Sequence, residues 1–431
     1  MTLDFSTSEA AAITPIVNFI YLSPRKSLTV KVKDLFFNAP KILGNSRYAW
    51  IDYAKGICII LVTFRHVQEG LHPAGAEYPY PWLKFADVFF FSFRMPLFFI
   101  VSGIFLGGTL KKKSVNDYIS GRFRTLVWPL LLWGCIQISL QLLFKDYVNV
   151  DRKPEDYLNL LIKPRAIEQF WYLHTLFLTG SLYAIMKVWG KFKIFHQLLL
   201  GILLYSITGY CRYNALFEHL FILDIFFYYI FFVVGDYFGS IILDPKNSRV
   251  FSSTKTFLIF TPLFVLLELY FTNINLSHGI GSGYRQPDYY VQNQMPALFL
   301  IVGLIGGAFL IHCSFLLQKL NILKFVRVVG YYSLHIYVIH LAVTAGTRIF
   351  FRHLLHVDNF VVLLIVSTIL GISVPIIVAN VTEKMGMWWL FTLKNPNTDK
   401  RHATPVWKTM PGKIAPEEPV SAINPQVIEK N

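Results

Sequence analysis

Of 431 residues, 54% are hydrophobic and only 15% charged, where a soluble domain carries about 25% charged residues. That excludes a water-soluble enzyme, and apolar runs of about 20 residues, rather than about 10, exclude a membrane β-barrel. The net charge of +15 reads as Lys and Arg holding loops on the cytoplasmic side, not as a nucleic-acid footprint, although basic loops also attract anionic substrates. The expected fold class is all-α: a polytopic membrane helix bundle with about ten transmembrane helices.

Residues 1–48 form a basic N-terminal extension carrying Arg25, Lys26, Lys31, Lys33, Lys41 and Arg47, expected to be cytoplasmic and partly disordered. Its apolar patch from Ala10 to Tyr21 is short, contains Pro15 and has no basic region before it, so no cleaved signal peptide is expected. A transmembrane domain is expected over 49–381, with spans at 49–68, 86–108, 125–144, 169–189, 195–211, 217–241, 256–273, 296–317, 329–350 and 360–381. Residues 382–431 turn polar and proline-rich and read as a largely disordered cytoplasmic tail. With both termini inside, most of the Lys and Arg fall on the cytoplasmic side, as the positive-inside rule asks. The loop 145–165, whose basic residues are offset by Asp146, Asp151, Glu155 and Asp156, is then expected outside.

The first span carries Asp52, Lys55, Arg65 and His66 among residues apolar enough for lipid. Lys55 and His66 lie eleven positions apart, so a helix sets them within roughly 20° of one face and about 16 Å apart. Asp52 falls one turn before Lys55. Asp52 and Lys55 serve either as interfacial anchors or as part of a site. His66 is expected to carry function, because an unpaired imidazole is a poor structural choice inside a span. Asp52 is too far along the helix to touch His66, so an acid that orients the imidazole is expected from another helix.

In the second span Arg94 stands seven residues after Asp87, on nearly the same face. The two either form a buried structural pair or offer the arginine to an anionic group. Pro96 permits a kink that lines a cavity, and Ser102-Gly103 permits close helix approach. The basic run from Lys111 to Arg124 is a solvated anchor or, through Arg122 and Arg124, a pyrophosphate site. Trp171, Tyr172 and His174 suit an interfacial belt. Asp224, Asp236 and Glu268 are either packing partners or cavity walls. In the ninth span Ser333, Tyr337, His340 and Thr344 form a polar stripe at i, i+4, i+7 and i+11. That stripe either bonds to a neighbouring helix or faces the first span across a shared cavity. The four cysteines show no pairing or metal spacing, and no metal is expected.

Five pieces of this chain, in this order, resemble the integral-membrane acyltransferase-3 family, whose members O-acylate sugars and glycans. They are Ile51-Asp52…Lys55-Gly56 leading to His66; Arg94-Met-Pro-Leu-Phe-Phe…Ser102-Gly103; Arg122…Arg124…Pro129; Phe170-Trp171-Tyr172-Leu173; and Gly330-Tyr-Tyr-Ser333-Leu…Tyr337…His340. The resemblance covers about 49–381. The family's basic residue, ten others, then His map to Lys55 and His66. Lys55 stands where the family commonly has Arg, keeping the charge and losing the bidentate geometry. Arg65 replaces a residue that is usually small. Some relatives carry an extra hydrolase-like domain, and none is expected here.

The resemblance implies transfer of an acyl group, most simply acetyl, from acyl-CoA to a hydroxyl of a sugar, exopolysaccharide or lipid-linked glycan. Acyl-CoA (acetyl-CoA) is then a donor substrate, with no bound cofactor. The partners are a carbohydrate or glycolipid acceptor and membrane lipid, without nucleic acid. His66 is the expected base or acyl carrier, and Lys55 and Asp52, farther along the same helix, are counted with it in the catalytic set. Arg94, Arg122 and Arg124 suit the donor's phosphates, and Ser102 or Tyr337 the oxyanion. Ser333 and His340 complete the binding set. The expected location is the bacterial inner membrane. Two rivals remain: a transporter or flippase of a polar or acylated glycan precursor, since intramembrane Asp, Arg and His also line transport routes, and a non-catalytic assembly protein.

Overall fold

A computed structural model describes residues 42–43, 48–71, 79–217, 220–278 and 289–394. The expectations for the N-terminal extension before residue 42, and for the tail beyond 394, lie outside these residues. The described residues are mostly helical, and none of them forms a strand. Ten long helices follow in order: α1 (Ala49–Leu71), α2 (Pro81–Leu110), α3 (Val115–Leu143), α4 (Trp171–Val188), α5 (Ile194–Tyr213), α6 (Phe221–Leu243), α7 (Thr254–Ser277), α8 (Pro296–Leu320), α9 (Ser333–Leu354) and α10 (Phe360–Lys384).

Among the described residues, eight of these, α2, α3 and α5 to α10, are long and apolar enough to cross a membrane. α1 and α4 fall outside that set because they carry more polar residues. They nonetheless pack in the bundle: α4 lies on α6, and α1 lies among α2, α8, α9 and α10. The outward faces are apolar, as with exposed Leu258, Ile259 and Leu266 on α7, which is the surface a lipid solvent asks for.

Two boundaries differ from the sequence reading. Arg122 and Arg124 do not sit in a loop. They belong to α3, beside and within a π-helical turn, Phe123–Val127, after which the α-helix resumes at Trp128 with Pro129, which has no N–H to donate. The segment 145–165 is not simply a loop either. It forms a helix, Asp156–Ile162, and begins a tight turn, Pro164–Phe170, whose Ile167, Gln169 and Phe170 are buried in the bundle.

α1 is placed by close contact. The short helix Lys324–Tyr331 lies directly on it. A Cβ on Gly330 would stand 1.6 Å from the Asp52 carbonyl oxygen, and one on Gly56 would stand 2.1 Å from that of Val326. Only two glycines allow these backbones to meet. The Trp50 ring stacks on Phe315 of α8 at 4.9 Å. At the other end the guanidinium of Arg348 on α9 donates to the carbonyl of Gly70, and Arg352 donates to Leu71 O at 3.4 Å. Cations thus cap the negative end of α1.

Gly330→Ala should therefore destabilise the protein by about 1–3 kcal/mol or more, as overpacking does. Gly346→Ala, with nothing within 4 Å of the new Cβ, should be neutral. Thermal unfolding in detergent compares the two.

Candidate active site

α1 sets Arg65, His66 and Glu69 within one turn, so residues three and four apart share a face. His66 Nδ1 lies 2.8 Å from Glu69 Oε2. Arg65 Nη2 lies 2.8 Å from Glu69 Oε1. Through Nη1, Arg65 reaches Asp87 of α2 at 3.2 Å and donates to the Tyr289 hydroxyl at 2.7 Å. Arg94 of α2 reaches the same Asp87 at 3.3 Å. The result is a chain, His66–Glu69–Arg65–Asp87–Arg94, in which two carboxylates face two guanidinium groups. Burying one such ion alone costs several kcal/mol, and alternation of sign offsets it.

The expectation that another helix supplies the acid for His66 is corrected here. Glu69, three residues on, does it from α1 itself. A carboxylate accepts only, so the bond puts the imidazole proton on Nδ1 and leaves Nε2 as a lone-pair base.

His66 opens onto a cavity of about 580 Å³. Glu69, Arg65, Arg94, Pro96, Tyr337 and Thr344 line it on this side, and Gln137, Gln141, Arg165, Glu168, Trp171 and Asp224 on the other. Arg165 makes a two-pronged pair with Asp224, 2.6 and 2.7 Å, and its guanidinium lies 4.2 Å from the Trp171 ring centre. Burial works against the Arg165 charge, but Asp224 outweighs it and holds the guanidinium above its ordinary value. Glu168 has φ 51° and ψ −122°, a conformation that costs a non-glycine residue about 1–3 kcal/mol.

The structure divides the sequence-derived residues into two groups. His66, Arg94 and Tyr337 line the cavity. His340 stands behind His66, with ring centres 5.3 Å apart. It is fully buried, its Nδ1 is 2.9 Å from the carbonyls of Ile336 and Tyr337, and its Nε2 has no partner among the described residues. The Tyr337 hydroxyl is committed to the carbonyl of Gln169.

Lys55, Asp52, Arg122, Arg124, Ser102 and Ser333 do not line this cavity. Lys55 and Asp52 sit 3.7 Å apart, with Arg327 4.0 Å from Asp52, near the other end of α1. Arg122 rests on Tyr118, 3.4 Å from its hydroxyl, and Arg124 is exposed. Ser333 opens α9 and is buried. Ser102 is half-buried beside Gly103, whose Cβ would stand 2.1 Å from Phe232 O on α6.

Other residues find their settings. Trp171 is a cavity wall, and Tyr172 and His174 are buried. Asp224 is a cavity wall. Asp236 pairs with Lys187 and Tyr183, and Glu268 accepts from Ser92 at 2.5 Å, so these two are packing partners. Sequence reasoning missed Glu69, Arg165 and Glu168. For Glu69 the signal was present, since the sequence holds Arg65-His66-Val-Gln-Glu69 at helical spacing. For the other two it was not, because Arg165 closes a segment that reads as an external loop and Glu168 falls between that loop and the fourth span.

A family model described as an acyltransferase domain, that of acyltransferase-3, matches residues 48–380. The chain belongs to the acyltransferase-3 family. It is similar to the Nodulation protein NolL of Mesorhizobium japonicum (strain LMG 29417 / CECT 9101 / MAFF 303099), 27% identical over 150 residues, covering 35% of this chain and 39% of the relative. It is also similar to the Nodulation protein NolL of Sinorhizobium fredii (strain NBRC 101917 / NGR234), 26% identical over 152 residues, 34% of this chain and 40% of the relative. The chain thus spans about two fifths of the length of the curated relatives it matches. No solved structure matches. The family match runs from just before α1 into α10 and so contains every residue of the cavity.

Asp87→Asn should leave Arg65 and Arg94 facing each other without their shared carboxylate. A loss of about 3–5 kcal/mol is expected for breaking a buried pair, seen as a lower melting temperature, whereas substitution of exposed Arg124 by Gln should leave melting unchanged.

Proposed function

We propose that this protein transfers an acyl group, most simply acetyl, from acyl-CoA to a hydroxyl of a sugar, exopolysaccharide or lipid-linked glycan. The observation that carries the reading is the His66 imidazole, tied through Nδ1 to Glu69 at 2.8 Å and open to a cavity within the bundle.

Glu69 fixes the tautomer and the ring, as an acid does behind a basic histidine. Nε2 takes the proton from the acceptor hydroxyl as its oxygen attacks the thioester carbonyl. The C–O bond forms and the carbonyl oxygen takes the negative charge. Arg94, held by Asp87 and lining the same cavity, is the group we assign to that charge. The C–S bond then breaks, and the thiolate takes the proton back from His66. Tyr337 is left out as oxyanion donor because its hydroxyl is bound to Gln169. Ser102 is left out because it does not line the cavity.

Arg122 and Arg124 keep the role of gripping donor phosphates, Lys55 joins them from the catalytic set, and Arg94 leaves them for the oxyanion. The about 16 Å of helix rise between Lys55 and His66 suits a donor whose charged head and thioester are joined by a long flexible arm. Asp52 orients Lys55 across their 3.7 Å contact, and Ser333 and His340 support the wall of α9. We place the protein in a bacterial inner membrane with both termini cytoplasmic, since that orientation puts most Lys and Arg inside. No observation favours the transport reading over this one; a transporter would not consume the thioester.

His66→Ala should abolish product acylation while the protein still inserts. Glu69→Gln should lower kcat by about 10²-fold or more. Labelled acetyl transfer to envelope glycan, measured by mass spectrometry against immunoblots of the membrane fraction, checks both. Wild-type acylation in His66→Ala removes the imidazole from the chemistry.

A further inference from the structure

The cavity has a second wall that the transfer step leaves unused. It is built from the turn Pro164–Phe170 and the face of α3 opposite it. Glu168 stands on this wall at φ 51° and ψ −122°. Those are the angles of the first central residue of a type II′ turn, where glycine is the ordinary occupant.

Its carboxylate is held from behind. Gln137 and Gln141 donate to Oε2 at 2.8 and 3.4 Å, and Arg152 Nη2 lies 3.4 Å from Oε1. Arg152 is in turn pinned, donating to Gln141 Oε1 and to Ala166 O, both at 2.8 Å. A carboxylate accepts about four hydrogen bonds, and the Glu168 side chain remains 23% exposed on the cavity wall. Acceptor capacity therefore faces the space that His66 also faces. Trp171 and Tyr228 add aromatic surface to the same side.

A hydrocarbon substrate here would press on the Glu168 charge and strip its water. A polyol offers hydroxyl donors instead. The backbone is held in an unfavourable conformation, and what it presents is a carboxylate at the cavity wall. Strain of that kind is informative when it places a polar group in a site.

We propose that Glu168 recognises the acceptor. Its carboxylate takes hydrogen bonds from sugar-ring hydroxyls next to the one that gives its proton to His66. The proposal rests on the acyl-transfer reading and names the residue that selects a polyol over a simple alcohol.

The test uses full-length protein purified in detergent, radiolabelled acetyl-CoA, and envelope glycan extracted from the source organism with the gene deleted. Glu168→Gln keeps the shape and removes the charge, and Glu168→Gly removes the side chain and relieves the backbone. In both, the KM for glycan should rise at least tenfold while the KM for acetyl-CoA stays within twofold. Glu168→Gly relieves the backbone but leaves Arg152, Gln137 and Gln141 without their shared acceptor, so it should melt lower than Glu168→Gln. An unchanged glycan KM in both variants overturns the proposal. So does an equal rise in both KM values, which would assign Glu168 to the shape of the whole site. If Glu168→Gly does not fold, the KM split in Glu168→Gln decides alone. A wild type that consumes no acetyl-CoA sinks the acyl-transfer reading itself, whereas an active wild type with indifferent variants sinks only the role of Glu168.

Discussion

The constraint from which this architecture follows is the cost of charge inside a lipid-solvated bundle. Glu69, Arg65, Asp87 and Arg94 meet that cost by alternating in sign, each carboxylate shared between two bases. An isolated member would be expelled, neutralised or driven to distort the bilayer. Linked together, the four hold a polar interior against apolar helices and keep a cavity open where packing would otherwise close it. The imidazole is the terminus of that chain, so its environment is inherited from the whole of it.

The position of α1 explains why one helix bears so much of the polarity. It packs among four other long helices and beneath Lys324–Tyr331, so none of its charged residues need face lipid. The Gly56–Gly330 crossing draws a second backbone against its first half. Arg348 and Arg352 fasten its last carbonyls. The helix that carries His66 and Glu69 is thus fixed at both ends, which is how a site gains precision from a rigid element. The opposite wall is made differently. There the turn Pro164–Phe170 leaves helical geometry at Ile167 and Glu168, and it is buried in protein and lines a cavity.

Much of this was legible in the linear chain. Ten apolar runs gave ten long helices, with α3 beginning well before its expected span, at Val115, because lipid leaves the backbone so few choices. The Asp87–Arg94 pair followed from seven-residue spacing, and the proximity of His66 to the stripe of α9 from its polar periodicity. Two misjudgements came from weighing one helix at a time. The segment 145–165 reads as a loop because its charges balance, and nothing local shows its helix or the turn after it, whose Ile167, Gln169 and Phe170 are buried. Glu69 was overlooked because it falls where the first span was thought to end, although its three-residue offset from His66 was there to be read.

Composition and spacing by themselves determined that the chain is a helical membrane bundle and which of its helices bring titratable groups into lipid, since both depend on hydrophobicity and on 100° steps about a single axis. Which of those groups share a cavity was decided only in three dimensions. Lys55 and His66 lie on one face of one helix, yet only His66 meets Arg94, Tyr337 and Glu168 around a common space. That outcome depends on how α2, α3, α9 and a folded-back turn cross α1, and such crossings are set by packing between elements distant in sequence, which no local pattern encodes.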